Sequence, residues 1–245
     1  MSSNSDMSSN QEYLLHEQYK DASNFNTRIR TMQSAGINLP DWYKRIFHLI
    51  KMAPHNRVLE LGCGPGYLWQ NNLDDLPLNC EITLSDFSPG MLEAAQNNLS
   101  GSSQPFTFKV IDAQAISSEN AQFDVVIANL MLYHVPDRPR ALSEIARVLK
   151  PTGHFYAATF SQSNFTYLEK FIRDSEVASW MNLLSFSLEN GTEQLSPWFS
   201  HVALHRLENT IVLTEAQPLV EIIRSGTARA SWDEAKFQAL QELIE

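Results

Sequence analysis

The chain has 245 residues, with 18 Lys or Arg against 28 Asp or Glu, and its formal net charge is −10. Such an acidic chain is a poor candidate for a nucleic-acid binder, because neutralisation of phosphates by Lys and Arg supplies most of the non-specific affinity. Its apolar runs are shorter than the roughly 20 residues of a membrane span and its N-terminus is polar, so we expect a cytoplasmic protein with a small partner and no membrane contact.

The composition changes several times along the chain, which predicts five successive units. These are a disordered tail at 1–11, N-terminal helices forming a lid at 12–56, a core at 57–160, a helical aromatic cap at 161–200, and a hairpin with C-terminal helices at 201–245. The tail is rich in Ser and Asn and lacks apolar periodicity. Within the lid, Tyr19 is expected only to pack, and residues 39–52 carry a helical apolar stripe.

From Arg57 onward, short apolar runs alternate with helical patterns, as in a parallel sheet with right-handed crossovers. The predicted strands are Arg57–Leu61, Cys80–Asp86, Phe106–Ile111, Phe123–Ala128 and Gly153–Thr159. Ser88 and Pro89 predict the cap and the first turn of a helix after the second strand. Another helix is predicted from about Pro139 to Leu149.

The segment after the last predicted strand is aromatic and helical, which suggests a cap that holds an apolar or aromatic ligand. Residues 202–208 and 210–213 could pair as a hairpin, and a helix follows from Pro218. Ser231 and Glu234 have the spacing of a capping box for the last helix.

The first predicted strand stops at Gly62, Gly64 and Gly66, which are spaced two apart. Glycines allow positive φ and let a ligand approach the backbone closely, and such a turn binds nucleotide-like molecules at the carboxyl ends of a parallel sheet. Glu60 would repel a pyrophosphate, whereas it suits a ligand that carries an ammonium group. S-adenosylmethionine (SAM), a nucleoside joined to an amino acid, is such a ligand.

Residues 59–66, Leu-Glu-Leu-Gly-Cys-Gly-Pro-Gly, resemble the first motif of class I SAM-dependent methyltransferases. Residues 129–137, Asn-Leu-Met-Leu-Tyr-His-Val-Pro-Asp, are similar to the motif after the fourth strand in small-molecule methyltransferases of the ubiquinone-biosynthesis type. They lack the Asn-Pro-Pro-Tyr form of enzymes that methylate amino groups of nucleic acids. The resemblance implies an α/β fold, a Rossmann-like doubly wound sheet in the order 3-2-1-4-5. Residues 202–213 could complete it as an antiparallel hairpin, or the chain could lack its last strands.

Asp86 ends the second strand about twenty residues beyond the glycine turn, a spacing that suits an acid accepting from ribose hydroxyls. The alternative role, capping of the next helix, is already filled by Ser88. The resemblance implies that Phe87 contacts adenine and that Asp112–Ala113 reads its exocyclic amine, although Asp112 could be an ordinary loop residue. Arg28 could bind the methionine carboxylate in a planar fork or could lie on the surface of an amphipathic helix. The predicted cofactor-binding residues are Arg28, Glu60, Gly62, Cys63, Gly64, Gly66, Asp86, Phe87, Met91, Asp112, Ala113 and Asn129.

Tyr133 and His134 are the adjacent pair in this motif that could move a proton near neutral pH. Methyl transfer depends mainly on alignment, so a base is needed only for a hydroxyl or ammonium acceptor. Alternatively, His134 holds the loop through a backbone hydrogen bond. Cys63, Cys80 and the histidines lack metal-ligand spacing, and no metal is expected.

The sequence therefore predicts a SAM-dependent methyltransferase with a small-molecule acceptor. Two alternatives remain open. A non-catalytic SAM-binding protein would have the same cofactor motifs. An NAD-dependent oxidoreductase would require an apolar residue in place of Glu60 and a catalytic Tyr/Lys or Cys pair. The acceptor, the atom methylated and the oligomeric state are left open.

Overall fold

The computed structural model describes residues 7–36, 38–165, 185–208, 215–226 and 232–244. At its centre is a five-stranded sheet in the order β3-β2-β1-β4-β5, in which all neighbouring strands run parallel. The strands are β1 Arg57–Leu61, β2 Glu81–Asp86, β3 Phe106–Val110, β4 Phe123–Asn129 and β5 Leu149–Ala158. The predicted doubly wound α/β fold and its strand order are confirmed.

Helices precede, connect and follow these strands. They are α1 Gln11–Tyr13, which continues as a π-helical turn Leu14–Gln18, α2 Ser23–Ser34, α3 Leu39–Leu49, α4 Tyr67–Gln70, α5 Pro89–Leu99, α6 Arg138–Val148, α7 Gly191–Leu195, α8 Ala216–Arg224 and α9 Glu234–Ile244. Short 3₁₀ turns lie at Leu73–Asp75, Leu132–His134 and Gln162–Phe165. No helix of the described residues is both long enough and apolar enough to cross a membrane.

The sheet has a hydrophobic core on each face. In β1, Val58 packs with the side chains of α3 and α5, whereas Leu59 packs with those of α6. Both residues are completely buried, because β1 is the central strand and successive side chains of a strand point to opposite faces. This central position places the end of β1, with its glycine turn, in the middle of one edge of the sheet.

Local capping chemistry sets the start of two helices near that edge. Ser88 Oγ accepts a hydrogen bond from the Met91 N–H at 3.2 Å, with Pro89 in the first turn of α5, as predicted. Asp137 Oδ1 accepts from the Arg140 N–H at 3.1 Å and begins α6. At α9, Asp233 Oδ1 accepts from the Lys236 N–H at 3.0 Å, and Ser231 of the predicted capping box lies outside the described residues.

Strand β5 begins at Leu149, four residues before the predicted start at Gly153. It is an edge strand, where the missing N–H of Pro151 does not interrupt a ladder on both sides. The pairing with β4 shifts register between Phe123 and Val125. A Cβ at Gly153 would lie 2.9 Å from the Asp124 carbonyl oxygen, so glycine permits this close approach.

The two ends of the chain also differ from expectation. The predicted disordered tail is ordered from residue 7, and Ser8 is completely buried. Residues 202–208 form no strand, so the first arm of the predicted hairpin is wrong, and residues 210–213 lie outside the described residues. Residues 166–184 of the predicted cap also lie outside them.

Candidate active site

The carboxyl ends of β1, β2 and β4 meet at one edge of the sheet, where nucleotide-like ligands bind in folds of this class. Three predicted elements lie there: the glycine turn after β1, Asp86 at the end of β2 and Asn129 at the end of β4. The topology therefore brings together residues that are far apart in the sequence.

The three glycines of the turn all have positive φ, but they serve different purposes. A Cβ at Gly62 would lie 2.8 Å from Met131 Cβ, so this glycine makes room for the loop after β4. A Cβ at Gly66 would lie 3.3 Å from Ala95 Cβ, so this one allows α5 to pack closely. A Cβ at Gly64 would meet nothing within 4 Å. Gly64 is therefore the glycine that faces open space.

Asp86 connects the end of β2 to this turn. Its Oδ2 accepts a hydrogen bond from the Gly64 N–H at 2.9 Å, and its Oδ1 accepts from the Ser88 N–H at 2.8 Å. Burial raises the pKa of Asp86 to about 6, although backbone N–H groups, including that of Phe87, oppose the shift. Each carboxylate oxygen can accept more than one hydrogen bond, so the two oxygens retain capacity for a pair of ligand hydroxyls.

Glu60 does not present an open carboxylate to this edge. It is 1% exposed, and its Oε2 accepts a hydrogen bond from Trp69 Nε1 at 2.5 Å. Burial raises the pKa of Glu60 to about 8, and the Trp69 hydrogen bond offsets part of that shift. Its protonated form therefore predominates at neutral pH. The expectation that a Glu60 carboxylate suits an ammonium stays a prediction.

The titration of Glu60 leads to a prediction about stability. Because its pKa is raised from 4.5 to about 8 in the folded chain, the folded state retains the proton over this range and the free energy of unfolding falls as pH rises. Glu60→Gln keeps an oxygen acceptor for Trp69 and removes the titration. We expect the variant to gain stability relative to the original chain between pH 5 and pH 9, measured by urea denaturation. A difference that is constant with pH would contradict this role.

Asp112 follows β3 and is engaged by glutamine side chains. Its Oδ2 accepts from Gln11 Nε2 at 3.2 Å, and its Oδ1 accepts from the Gln114 N–H at 2.9 Å. Gln11 belongs to the N-terminal segment, and its side-chain NH₂ is the same type of donor as an exocyclic amine of a base. The neighbouring Ala113 is buried, as are Met91 in α5 and Cys63 in the glycine turn.

Asn129 ends β4 with a side-chain oxygen, Oδ1, that is buried and has no hydrogen-bond partner among the described residues. An unsatisfied buried acceptor costs roughly 1–3 kcal/mol, so a ligand donor at this point would be favourable. The open space at Gly64, the Asp86 carboxyl and this oxygen fit a ligand with hydroxyl and amino groups, such as SAM.

Arg28, in α2, is partly buried, and its guanidinium already contacts other residues of the chain. Its Nη1 donates to the carbonyl oxygen of Ser225 after α8, and its Nη2 lies 3.5 Å from the Tyr19 hydroxyl. The guanidinium carbon lies 5.6 Å from the Phe25 ring centroid. The contact with Ser225 joins α2 to the residues that follow α8, and binding of a carboxylate by Arg28 stays a prediction.

His134 lies in the turn after β4 with a partner at each ring nitrogen. Its Nδ1 is 2.6 Å from the Ser8 carbonyl oxygen, and its Nε2 is 3.0 Å from the Tyr19 hydroxyl. A carbonyl oxygen only accepts, so Nδ1 carries a proton and Nε2 accepts from Tyr19. Tyr133 is buried, which raises its pKa well above the usual range and keeps its phenol protonated. Sequence reasoning missed the Tyr19 hydroxyl.

Comparisons with known proteins agree with this arrangement. Residues 58–153 match a family model described as a methyltransferase domain. The ubiquinone biosynthesis O-methyltransferase of Xanthomonas oryzae pv. oryzae is 26% identical over 170 residues, which cover 60% of this chain and 70% of that protein. The human mitochondrial arginine-hydroxylase NDUFAF5 is 36% identical over 103 residues, which cover 42% of this chain and 28% of that protein.

A solved structure has the same fold. A chain in the complex that contains the Haloferax volcanii Trm112 methyltransferase activator aligns with a TM-score of 0.51 at 21% identity, covering 68% of this chain and 74% of that one. The strand order, the glycine turn and the methyltransferase-domain match lead to one conclusion. Residues 58–153 of the chain are a methyltransferase domain of the class I, SAM-dependent type.

Proposed function

We propose that the chain methylates a small molecule and that the carboxyl edge of its sheet holds SAM. The observation that carries this proposal is the open space at Gly64 beside the Asp86 carboxyl. In the bound state Asp86 accepts from the two ribose hydroxyls and Gly64 lies against the ligand. SAM supplies a methyl group on a positively charged sulfur, which makes the rest of the molecule a good leaving group.

The adenine end is assigned to Phe87 and to Asp112–Ala113. Because Gln11 Nε2 donates to Asp112 in the structure, the adenine amine takes the place of this amide when the ligand binds. Asn129 Oδ1 accepts from a donor of the ligand's amino-acid part, and Arg28 binds its carboxylate after a rearrangement of the Ser225 contact. These assignments give every polar end of SAM a partner of matching chemistry.

The acceptor is proposed to be a small molecule with an apolar or aromatic body. The net charge of −10 disfavours nucleic acid,. Aromatic rings surround His134, with ring centroids 4.6 Å away for Tyr133 and 5.4 Å away for Tyr19, and Phe160 lies 6.0 Å from Tyr133. The Xanthomonas relative is by name an O-methyltransferase, so we propose a hydroxyl as the reacting group.

A hydroxyl acceptor must lose its proton, and we assign the final proton acceptor to His134. Its Nδ1–H donates to Ser8, which leaves the Nε2 lone pair for a proton. Tyr133 is excluded as a base because its phenol stays protonated. The same hydrogen bond to Ser8 also holds the loop, so the two roles considered for His134 are compatible.

Methyl-labelled SAM, incubated with the protein and cellular fractions, tests the proposal. We expect label in a small-molecule fraction, and none with a variant that cannot bind SAM. Label in nucleic acid or protein would contradict the proposed acceptor class. SAM binding by calorimetry without any labelled product would favour the non-catalytic alternative, whereas NAD binding without SAM binding would favour the oxidoreductase.

A further inference from the structure

We propose that Tyr19 is a catalytic residue: its hydroxyl takes the proton of the acceptor while it gives its own proton to His134. This inference rests on the proposed function, methyl transfer to a hydroxyl of a small molecule. It adds a residue of the N-terminal lid to the reacting groups, and it makes the closed lid part of the site.

The geometry of His134 is the first argument. The Ser8 carbonyl, 2.6 Å from Nδ1, fixes the tautomer in which Nε2 has a lone pair,. That lone pair accepts from the Tyr19 hydroxyl at 3.0 Å, and the two rings meet edge to face at 75°. With the lid in this position, Tyr19 covers the basic nitrogen, so an acceptor proton reaches Nε2 through the Tyr19 oxygen.

The position of Tyr19 is fixed from several sides. Its backbone carbonyl accepts from Ser88 Oγ at 2.5 Å, which ties it to the start of α5. Its backbone N–H donates to the Leu14 carbonyl at 2.8 Å and closes the π-helical turn. A Cβ at Gly90 would collide with the backbone of Lys20, so glycine at this position allows the lid to dock. Such fixed placement of a reacting group is what catalysis by alignment requires.

The positive charge of Arg28 beside the Tyr19 oxygen favours the proposed proton transfer. Arg28 Nη2 lies 3.5 Å from the Tyr19 hydroxyl, and the guanidinium carbon is 5.7 Å from the ring centroid. A cation at this distance stabilises negative charge that develops on the phenol oxygen while protons move. The Tyr19 oxygen thus has a proton acceptor on one side and a cation on another.

The proposed step balances in atoms and charge. The acceptor O–H bond breaks and its proton joins the Tyr19 oxygen, while the Tyr19 proton moves to His134 Nε2. The acceptor oxygen forms a bond to the methyl carbon, and the electron pair of the broken sulfur–methyl bond stays on sulfur. The positive charge lost from sulfur reappears on the His134 imidazolium, which then releases its proton to water.

The competing explanation is that the Tyr19–His134 bond only keeps the lid closed. The chain offers a matched control, because the Tyr67 hydroxyl donates to Asn26 Oδ1 at 2.7 Å and also ties the lid helix α2 to the core. Tyr67→Phe removes a lid hydrogen bond of the same chemistry without removing the bond to His134. If the Tyr19 hydrogen bond only keeps the lid closed, Tyr19→Phe and Tyr67→Phe should change kcat and SAM affinity by similar factors.

The experiment compares the original protein, Tyr19→Phe and Tyr67→Phe, with methyl-labelled SAM and the metabolite fraction that the original protein labels. We expect Tyr19→Phe to lower kcat by about 10²-fold or more, with SAM affinity changed less than about threefold by calorimetry. We expect Tyr67→Phe to keep the shape of the kcat–pH profile and most of kcat. An unchanged kcat in Tyr19→Phe, or parallel losses of SAM affinity and kcat in both variants, would overturn the assignment.

A second measurement does not depend on the acceptor. Nitrogen NMR of ¹⁵N-histidine-labelled protein with S-adenosylhomocysteine reports the His134 tautomer, which we expect to carry its proton on Nδ1 and to shift its Nε2 signal in Tyr19→Phe. A proton on Nε2 of the neutral ring would overturn the proposal. If the fraction screen finds no methylated product, the proposed function fails, and this spectrum still decides whether Tyr19 and His134 are paired.

Discussion

Gly64→Val is expected to abolish SAM binding in a chain that still folds. A Cβ at Gly64 would enter open space at the carboxyl edge and would touch no protein atom within 4 Å. The valine Cβ therefore meets no atom of the described residues, and the side chain extends into the volume assigned to the ligand. Calorimetric titration with SAM should show no binding, while circular dichroism should show the original helix and strand content.

The control for this variant is Gly36→Val. Gly36 also has a positive φ, +83° against +53° for Gly64, and a Cβ there also meets nothing within 4 Å. Both substitutions impose backbone strain of roughly 1–3 kcal/mol, but Gly36 follows the end of α2 and is not part of the glycine turn. SAM binding should persist in Gly36→Val. Normal binding by a folded Gly64→Val would remove this turn from the proposed site.

Asp86→Ala gives a graded comparison in the same titration. Loss of the proposed acceptor for the ribose hydroxyls should weaken SAM binding roughly ten- to a hundredfold, equivalent to ~1.5–3 kcal/mol. Asp86 also accepts from the N–H groups of Gly64 and Ser88, so thermal unfolding of the variant must be measured alongside. Unchanged affinity in a folded variant would exclude Asp86 from the site.

The fold was predictable because its determinants are local or periodic. Val58 and Leu59 belong to an apolar run that stops at glycine, and the run is buried on both faces because β1 is central. Ser88 and Pro89 determine the start of α5 through contacts within four residues. The positions of the glycine turn, Asp86 and Asn129 at one edge then follow from parallel strands, whose carboxyl ends share an edge.

The pairings within the site were not predictable, because no periodicity records contacts between distant residues. Tyr19 and His134 are 115 residues apart, and Gln11 and Asp112 are 101 apart. Composition was also misleading for the N-terminus, since a polar segment without apolar periodicity can be ordered by hydrogen bonds, as the Ser8 contact with His134 illustrates.

Glu60 illustrates a different limit. The sequence places a carboxyl at the end of β1, but its ionisation depends on burial and on Trp69, which donates to it from α4. An argument from formal charge could therefore not predict the burial, the Trp69 hydrogen bond or the raised pKa of Glu60. Asp86 stays the proposed acceptor for the ribose hydroxyls; its Oδ2 accepts from the Gly64 N–H in the glycine turn and its Oδ1 accepts from the Ser88 N–H.

His134→Asn is expected to lower kcat by about 10²–10⁴-fold, the usual contribution of a positioned proton acceptor. The asparagine NH₂ can replace Nδ1–H as the donor to the Ser8 carbonyl, so the loop contact is retained while the titrating nitrogen is lost. A protonated Nε2 cannot accept a hydrogen bond from Tyr19. The kcat of the original protein should therefore fall when the pH is low enough to protonate His134, and the variant should lack this dependence.

His16→Asn, at an exposed lid histidine, is the matched control and should keep the original kcat–pH profile. The double variant Tyr19→Phe with His134→Asn provides the sharper check, because residues that act as one unit give non-additive losses. Since the proton passes through both groups, removal of either already interrupts the transfer, and the double variant should lose little more than the worse single variant. If the loss of kcat in the double variant equals the product of the two single losses, the two residues act independently and the proposed transfer is contradicted. If the rate of the original protein is independent of pH and His134→Asn keeps near-normal kcat, His134 only holds the loop and alignment of the reactants is the mechanism.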